Sequence, residues 1–187
     1  MAEPDKKRSP YDFYPTPRDV VEKLFDHYFL DGVDNETILE PCAGDGVIVE
    51  AIKRRYPRAV ISAIEIDATH EDALQATEPD FYVLKDFLKL NNAQLNCYDW
   101  VITNPPFSLA QEFIEKSLQI AQKGVIMLLR LNFLGSQKRH NFWIKNPPDK
   151  IMVLSKRPSF TGNGTDSQEY AWFIWDKKKH ERPIEVI

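Results

Sequence analysis

The chain has 187 residues, 43% of them hydrophobic and 28% charged, with a net charge of −4, the balance of one globular domain and not of a disordered or low-complexity chain. No apolar stretch approaches the roughly 20 residues that cross a bilayer, and the polar start Met1-Ala2-Glu3-Pro4-Asp5-Lys6 is no signal peptide, so a cytoplasmic protein is expected. Cys42, Cys97 and four scattered histidines make no metal-ligand spacing, so no metal site is expected.

Residues 1–16 read as an extended segment. Pro17-Arg18-Asp19 then opens an amphipathic helix to about Tyr28, with Val20, Val21, Leu24, Phe25 and Tyr28 at helical spacing. Thr37–Glu40 reads as a short buried strand, followed by the tight turn Pro41-Cys42-Ala43-Gly44-Asp45-Gly46. A helix is predicted over Val47–Arg55, stopped by Pro57, and a strand over 60–66 ends in Glu65-Ile66-Asp67. A helix over about 69–76 leads to the strand Phe81–Leu84, which ends at Lys85-Asp86-Phe87.

Tyr98–Thr103 is the next strand, 109–121 a helix, and 124–129 a fully buried strand; two more strands are predicted at 151–154 and Tyr170–Trp175. Continuous apolar strands alternating with helices belong to a parallel sheet covered on both faces. The expectation is one doubly wound, Rossmann-like α/β domain over 1–187. Its sheet is mostly parallel, with the C-terminal pair as an antiparallel hairpin at an edge.

The most informative motif is Asn104-Pro105-Pro106-Phe107, directly after Trp100-Val101-Ile102-Thr103. The prolines lack N–H donors and fix φ, so the chain stiffens and turns outward at the strand end. That presents one amide, a run of bare carbonyls and an aromatic face where open α/β sheets bind ligands. The set suits a planar ligand bearing an NH2 group: the Asn104 oxygen and the Pro105 carbonyl accept its hydrogens while Phe107 stacks on its ring. A proline-rich turn would explain Asn and Pro together without any ligand, but other strand ends point the same way. Gly44 and Gly46 permit close backbone approach. Glu65 and Asp67 end the second strand, where doubly wound folds take ribose hydroxyls, and Asp86-Phe87 offers an acceptor and a stacking face for adenine. The glycines lack the third member of the dinucleotide fingerprint and the Gly-Lys-Ser/Thr of a phosphate loop.

With Phe13-Tyr14-Pro15-Thr16-Pro17 at the start, these motifs in this order resemble the S-adenosylmethionine-dependent amino-methyltransferases. The likeness is strongest to the adenine-N6 DNA methyltransferases, above all the small single-domain forms of phages and prophages. The resemblance implies that Tyr14, Thr16 and Pro17 border the methionine moiety, with Glu40, Cys42, Gly44 and Gly46 lining the same cofactor. It implies that Glu65 holds the ribose, Ile66 packs on the adenine, and Asp86 and Phe87 contact the adenine ring. Asn104, Pro105, Pro106 and Phe107 would be catalytic, and Phe160 would sandwich a flipped base against Phe107. The implied reaction is methyl transfer from S-adenosylmethionine to the exocyclic amino group of adenine in DNA.

Larger members of the family carry a target-recognition domain, and none is expected within 1–187. Substrate reading then falls to the stretch 135–140, where Lys138 and Arg139 suit phosphates, and to the loop 159–168, where Asn163, Asp166 or Gln168 could reach a base edge. From Arg130 to Arg157 seven basic residues face one acid, Asp149, a local excess that suits nucleic acid at one face. The same chemistry also suits an amino group of adenine or guanine in RNA, or a glutamine amide of a protein. Other readings are a non-catalytic nucleic-acid-binding module and a nicotinamide dehydrogenase. Oligomeric state is not legible.

Overall fold

The structure, a computed structural model, describes residues 14–28, 35–93, 95, 97–160, 162, 164–176, 178, 180–181 and 183–187. Eight strands among them form one sheet: Thr37–Glu40 (β1), Val60–Glu65 (β2), Phe81–Leu84 (β3), Tyr98–Thr103 (β4), Ala121–Arg130 (β5), Lys150–Val153 (β6), Tyr170–Trp175 (β7) and Ile184–Val186 (β8). Their order is β3-β2-β1-β4-β5-β7-β6-β8. The first five strands pair in parallel, and β7 runs antiparallel to both β5 and β6. The expected antiparallel pair is present, with β7 inserted between β5 and β6 and β8 added parallel to β6. After β3 the chain returns past β1 to lay down β4, so the strand order reverses there. A reversal of this kind opens a crevice at the carboxyl ends of the two central strands.

Helices Arg18–His27 (α1), Val47–Arg55 (α2) and Glu71–Ala76 (α3) cover one face, and Ala110–Ile120 (α4) and His140–Lys145 (α5) cover the other. Alternate residues of each central strand feed the two cores. Trp100 and Ile102 of β4 pack with Leu24, Ile52 and Leu74, whereas Val101 packs with Phe113 and Ile114. Two-sided burial explains why these strands read as unbroken apolar runs. Gly124 is required by close approach: a Cβ there would lie 2.7 Å from the Trp175 carbonyl oxygen and inside contact distance of the Trp100 ring.

Two elements depart from expectation. Helix α5 spans six residues, too few to show a period, and its Ile144 is 65% exposed. Strand β8 exposes Ile184 and Val186 and is held by backbone bonds, Ile151 N–H to the Pro183 carbonyl and Ile187 N–H to the Val153 carbonyl. The expected extended segment 1–16 is described only at 14–16, and Phe13 and Asn163 lie outside the described residues.

At the sheet end opposite the crevice, buried Asp176 follows β7 and accepts hydrogen bonds from the Tyr28 hydroxyl and the Lys178 backbone N–H, with His180 Nε2 at 3.1 Å. Burial pushes its carboxyl up, but these partners together outweigh burial and hold it below the usual carboxylate range. A depressed folded-state pKa stabilises the fold fully above the unfolded value of about 3.9, and that stabilisation is lost as pH falls through the lower folded value. Wild type is therefore expected to lose more stability than Asp176→Asn as pH drops below about 4. Urea denaturation at a series of pH values checks this, and parallel profiles for the two proteins would sink the idea.

Candidate active site

The crevice holds a cleft of about 340 Å³ walled by the ends of β1 to β4 and the turns that follow them. Beneath it, Gly46 caps α2 in the left-handed region at φ 81°, and any side chain there would strike Thr77, its Cβ 2.6 Å from Oγ1. Glu65, 4% exposed, ties two strand-end turns together: Gly44 N–H donates to Oε2 at 2.6 Å and Asp67 N–H to Oε1 at 2.7 Å. One carboxylate that also lines the cleft thus bridges both turns, beside the backbone bond from Ala43 N–H to the Ile64 carbonyl at 3.0 Å.

Glu40, 1% exposed, lines the same cleft, and its Oε2 has no hydrogen-bond partner. Burial, with Asp45 and Glu65 nearby, pushes its carboxyl well above the usual range. A cation in the cleft would reverse that shift and give the stranded oxygen a partner. Burial, followed by Glu65 and Glu40, also raises the Cys42 thiol well above its usual value. Cys42 is therefore a protonated wall residue and no thiolate nucleophile.

At the third strand end, the Asp86 side chain accepts the Leu88 N–H at 3.0 Å and pairs with Lys89 at 3.3 Å. Phe87 reaches the cleft, but its ring is 2% exposed and packs on Phe113 at a centroid distance of 5.2 Å. The expected free stacking face is thus spent on the core, and 40%-exposed Ile66 supplies the accessible apolar surface instead. Lys116 of α4 gathers this turn by donating to the carbonyls of Phe87 at 2.6 Å, Leu88 at 3.1 Å and Leu90. Sequence reasoning missed Lys116, since nothing in a helix marks which lysine reaches a distant turn.

Asn104 stands at the end of β4 in the cleft wall. Its Nδ2 donates to the Tyr14 carbonyl at 3.3 Å and to Thr16 Oγ1 at 3.0 Å. A carbonyl can only accept, so this contact dictates which end of the amide faces the strap at 14–16. The other end, Oδ1, is buried with no hydrogen-bond partner. Tyr14 and Thr16 line the cleft as expected, whereas Pro17 and Gly46 do not: Pro17 caps α1, and Gly46 shapes the turn from below.

Phe107 belongs to an aromatic cluster. Tyr14 stacks on it at 5.7 Å and 29°, Tyr170 lies 5.3 Å away, and the Arg130 guanidinium sits 4.4 Å over its ring. The expected Phe107–Phe160 sandwich is absent, because those rings meet edge-on at 6.1 Å and 67°. Arg139, expected to contact phosphate, already has partners in its own loop. Its guanidinium donates to the carbonyls of Phe133 at 2.8 Å and Gly135 at 2.5 Å, which folds its own loop. Of the basic stretch, Lys150 pairs with Glu185 and Arg157 with Glu169, while Lys138, Lys145 and Lys156 are exposed. Two of the seven basic residues counted in this stretch are thus already paired with acids.

Among the described residues no cluster of His, Cys, Asp and Glu could hold a metal ion, and no helix is long and apolar enough to cross a membrane. No protein-family model matches the chain. A modification methylase, CviBIII, of Paramecium bursaria Chlorella virus NC1A is 28% identical over 123 residues, which cover 63% of this chain and 31% of that protein. The chain thus spans about a third of the length of the curated relative it matches.

Among solved structures, a proposed RNA methyltransferase from Pyrococcus horikoshii superposes with a TM-score of 0.66 at 18% identity, covering 89% of this chain and 88% of that one. A precorrin-6y C5,15-methyltransferase from Geobacter metallireducens GS-15 gives 0.59 at 14% identity, over 86% of each chain. An RNA methyltransferase from Salinibacter ruber, in complex with S-adenosyl-L-homocysteine, gives 0.53 at 15% identity over 90% of this chain and 98% of that one. Strand order, the single antiparallel strand and these superpositions agree that the chain has the α/β Rossmann-like methyltransferase fold.

Proposed function

We propose that the protein binds S-adenosylmethionine in the cleft and transfers its methyl group to the exocyclic amino group of adenine in DNA. One observation carries the reading: a buried, partnerless Asn104 Oδ1 on an amide whose orientation is locked from its other end. Orphaned buried acceptors are rare and mark places where a ligand completes the set. The cofactor fits the donor set present, since its sulfonium and ammonium are cations and the cleft holds Glu40, Asp45, Glu65, Asp67 and Asp86 around one lysine, Lys85.

Asn104 explains how a poor nucleophile becomes reactive. An adenine amino nitrogen shares its lone pair with the ring, and acceptors on both hydrogens let it become tetrahedral and free that pair. Asn104 Oδ1 takes one hydrogen and the Pro105 carbonyl the other. Both oxygens then face the positive charge that grows on nitrogen as its bond to carbon forms. The bound cofactor would supply the electrophilic methyl and a neutral thioether leaving group, and the methylated nitrogen then loses one N–H proton to solvent to give the neutral product. The chain's own task is to hold donor, methyl and acceptor in line, which the proline-stiffened turn favours. Glu65 suits the ribose hydroxyls and Ile66 the adenine of the cofactor.

Two features support nucleic acid as the acceptor: the likeness to a modification methylase, and exposed Lys138 on the turn beside the second cavity described below. RNA is the second reading, favoured by the RNA methyltransferases among the structures that share the fold. Labelled S-adenosylmethionine offered with adenine-rich duplex DNA and, separately, with RNA tests both. N6-methyladenine recovered from DNA is the expected product. Label in RNA alone moves the acceptor, and label in neither from protein that binds the cofactor ends the nucleic-acid reading.

A further inference from the structure

The turn that follows Asn104 has a second cavity, of about 220 Å³, on its other side. Tyr14, Phe107 and Ser108 line both cavities, and the second adds Arg130, Asn132 and Phe133 from the end of β5 and the turn beyond it. The two differ in charge. Five acids and one lysine line the cleft, whereas the ionisable side chains of the second cavity are Tyr14, Arg130 and Arg139. A cationic cofactor and an electron-rich acceptor would be sorted accordingly.

A base sandwiched between two rings needs two stacking contacts of roughly 3.5–4 Å each, hence near-parallel rings about 7–8 Å apart. Phe107 and Phe160 are 6.1 Å apart and steeply inclined, and Phe160 also packs edge-on against Tyr170 at 5.0 Å and Tyr14 at 6.0 Å. At 6% exposure Phe160 is a core residue of this cluster. Two groups do lie over the Phe107 ring, the stacked Tyr14 at 5.7 Å and the Arg130 guanidinium at 4.4 Å, and of these only the guanidinium is both planar and charged. Its Nε donates to the Tyr170 hydroxyl at 3.0 Å, and that hydroxyl, pushed up to about 12 by burial, stays protonated and donates to Asp166 at 3.2 Å. At the mouth, Asn132 Nδ2 donates to Gln168 Oε1 at 2.8 Å, which brings a residue of the 159–168 loop to the same opening.

We propose that this second cavity is the acceptor subsite, that it takes a purine extruded from a nucleic-acid strand, and that Arg130 binds the base there with Asn132 at its edge. The proposal rests on the methyl-transfer reading and deepens it by naming where the acceptor sits. Extrusion makes such a subsite necessary, since a stacked base cannot bring its amino group to Asn104. Arginine planes stack on unpaired bases, and an amide reads a purine edge with two hydrogen bonds.

Methyl transfer to an adenine-containing oligonucleotide at saturating S-adenosylmethionine, with calorimetric cofactor binding on every variant, tests this. Arg130→Gln is expected to raise the acceptor KM about tenfold or more, the scale of one charge-assisted contact, with cofactor affinity within about twofold. Asn132→Ala, an exposed change that leaves the aromatic cluster intact, is expected to raise it about threefold to fivefold. Phe160→Leu should leave the acceptor KM within about twofold. An acceptor KM that moves with Phe160→Leu and stays fixed in both other variants overturns the subsite. Should wild type bind the cofactor and methylate no nucleic acid, the methyl-transfer reading fails. The subsite is then judged by fluorescence of a 2-aminopurine oligonucleotide with S-adenosylhomocysteine present: quenching by wild type lost in Arg130→Gln upholds it, and equal or absent quenching removes it.

Discussion

Asn104→Ala is expected to slow single-turnover methyl transfer by about 10²–10³-fold, the loss seen when one preorganised partner of transition-state charge is removed. Cofactor affinity should fall far less than the rate, by the small amount expected from loosening Tyr14 and Thr16 in the cleft wall, because the residue acts chiefly on the acceptor. Folding stability is expected to change little. The substitution forfeits two hydrogen bonds to Tyr14 and Thr16, yet it also removes an acceptor buried without a partner, each a matter of about 1–3 kcal/mol. Rapid-quench kinetics, calorimetry and thermal melting on the same preparation separate these outcomes. A cofactor affinity that falls as far as the rate would move Asn104 out of the catalytic role. Asn104→Asp is a sharper probe still, since a carboxylate would set an oxygen against the Tyr14 carbonyl and lose the lock that orients the amide.

Glu65→Ala is expected to weaken cofactor binding about 100-fold and to lower folding stability by about 2–4 kcal/mol. Two backbone N–H groups, of Gly44 and Asp67, lose their acceptor, and the first of them lies in a buried turn. The turns after β1 and β2 would then be joined by the Ala43 N–H to Ile64 carbonyl bond without the carboxylate bridge, so the cleft loosens and also loses a hydrogen-bonding carboxylate. Glu65→Gln keeps one acceptor oxygen and should retain more stability than affinity. Denaturant midpoints and calorimetry check both. Unchanged affinity in a destabilised Glu65→Ala protein would leave Glu65 as a purely structural tie.

What was legible in advance follows from where the information resides. Strands β1, β3, β4 and β7 and helix α2 fall at their expected bounds: two-sided burial writes β1, β4 and β7 as apolar runs, β3 is apolar although its Phe81 and Val83 are exposed at the sheet edge, and Pro57 marks the helix end. Helix α5 and strand β8 carry no such signal, one being too short for a period and the other held by backbone bonds with its side chains exposed. At the site, residues at strand ends were legible because topology alone brings Glu40, Glu65, Asp86 and Asn104 to one crevice. Less legible were side chains whose partners no motif marks. Phe87 is drawn away by Phe113, Phe160 by Tyr170, and Arg139 by carbonyls its own loop turns toward it. Charge counting has the same blind spot, since it cannot see that Lys150 and Arg157 are already paired.

The insertion of β7 between β5 and β6 bears on how the chain reaches this fold as it leaves the ribosome. When residue 169 has emerged, β5 and β6 both exist as sequence, yet neither has the neighbour that joins them. The β5 edge then presents Val125, Ile126, Met127, Leu128 and Leu129, all fully buried in the finished sheet, with its ladder of N–H and C=O groups open on one side. Edges of that kind recruit other strands. The half of the sheet beyond β5 cannot close until Tyr170–Trp175 arrives, so the β5 edge is the last of the central strands to gain its second neighbour. Chains broken off before residue 170 keep that edge without its partner, and are expected to aggregate more readily than the whole chain.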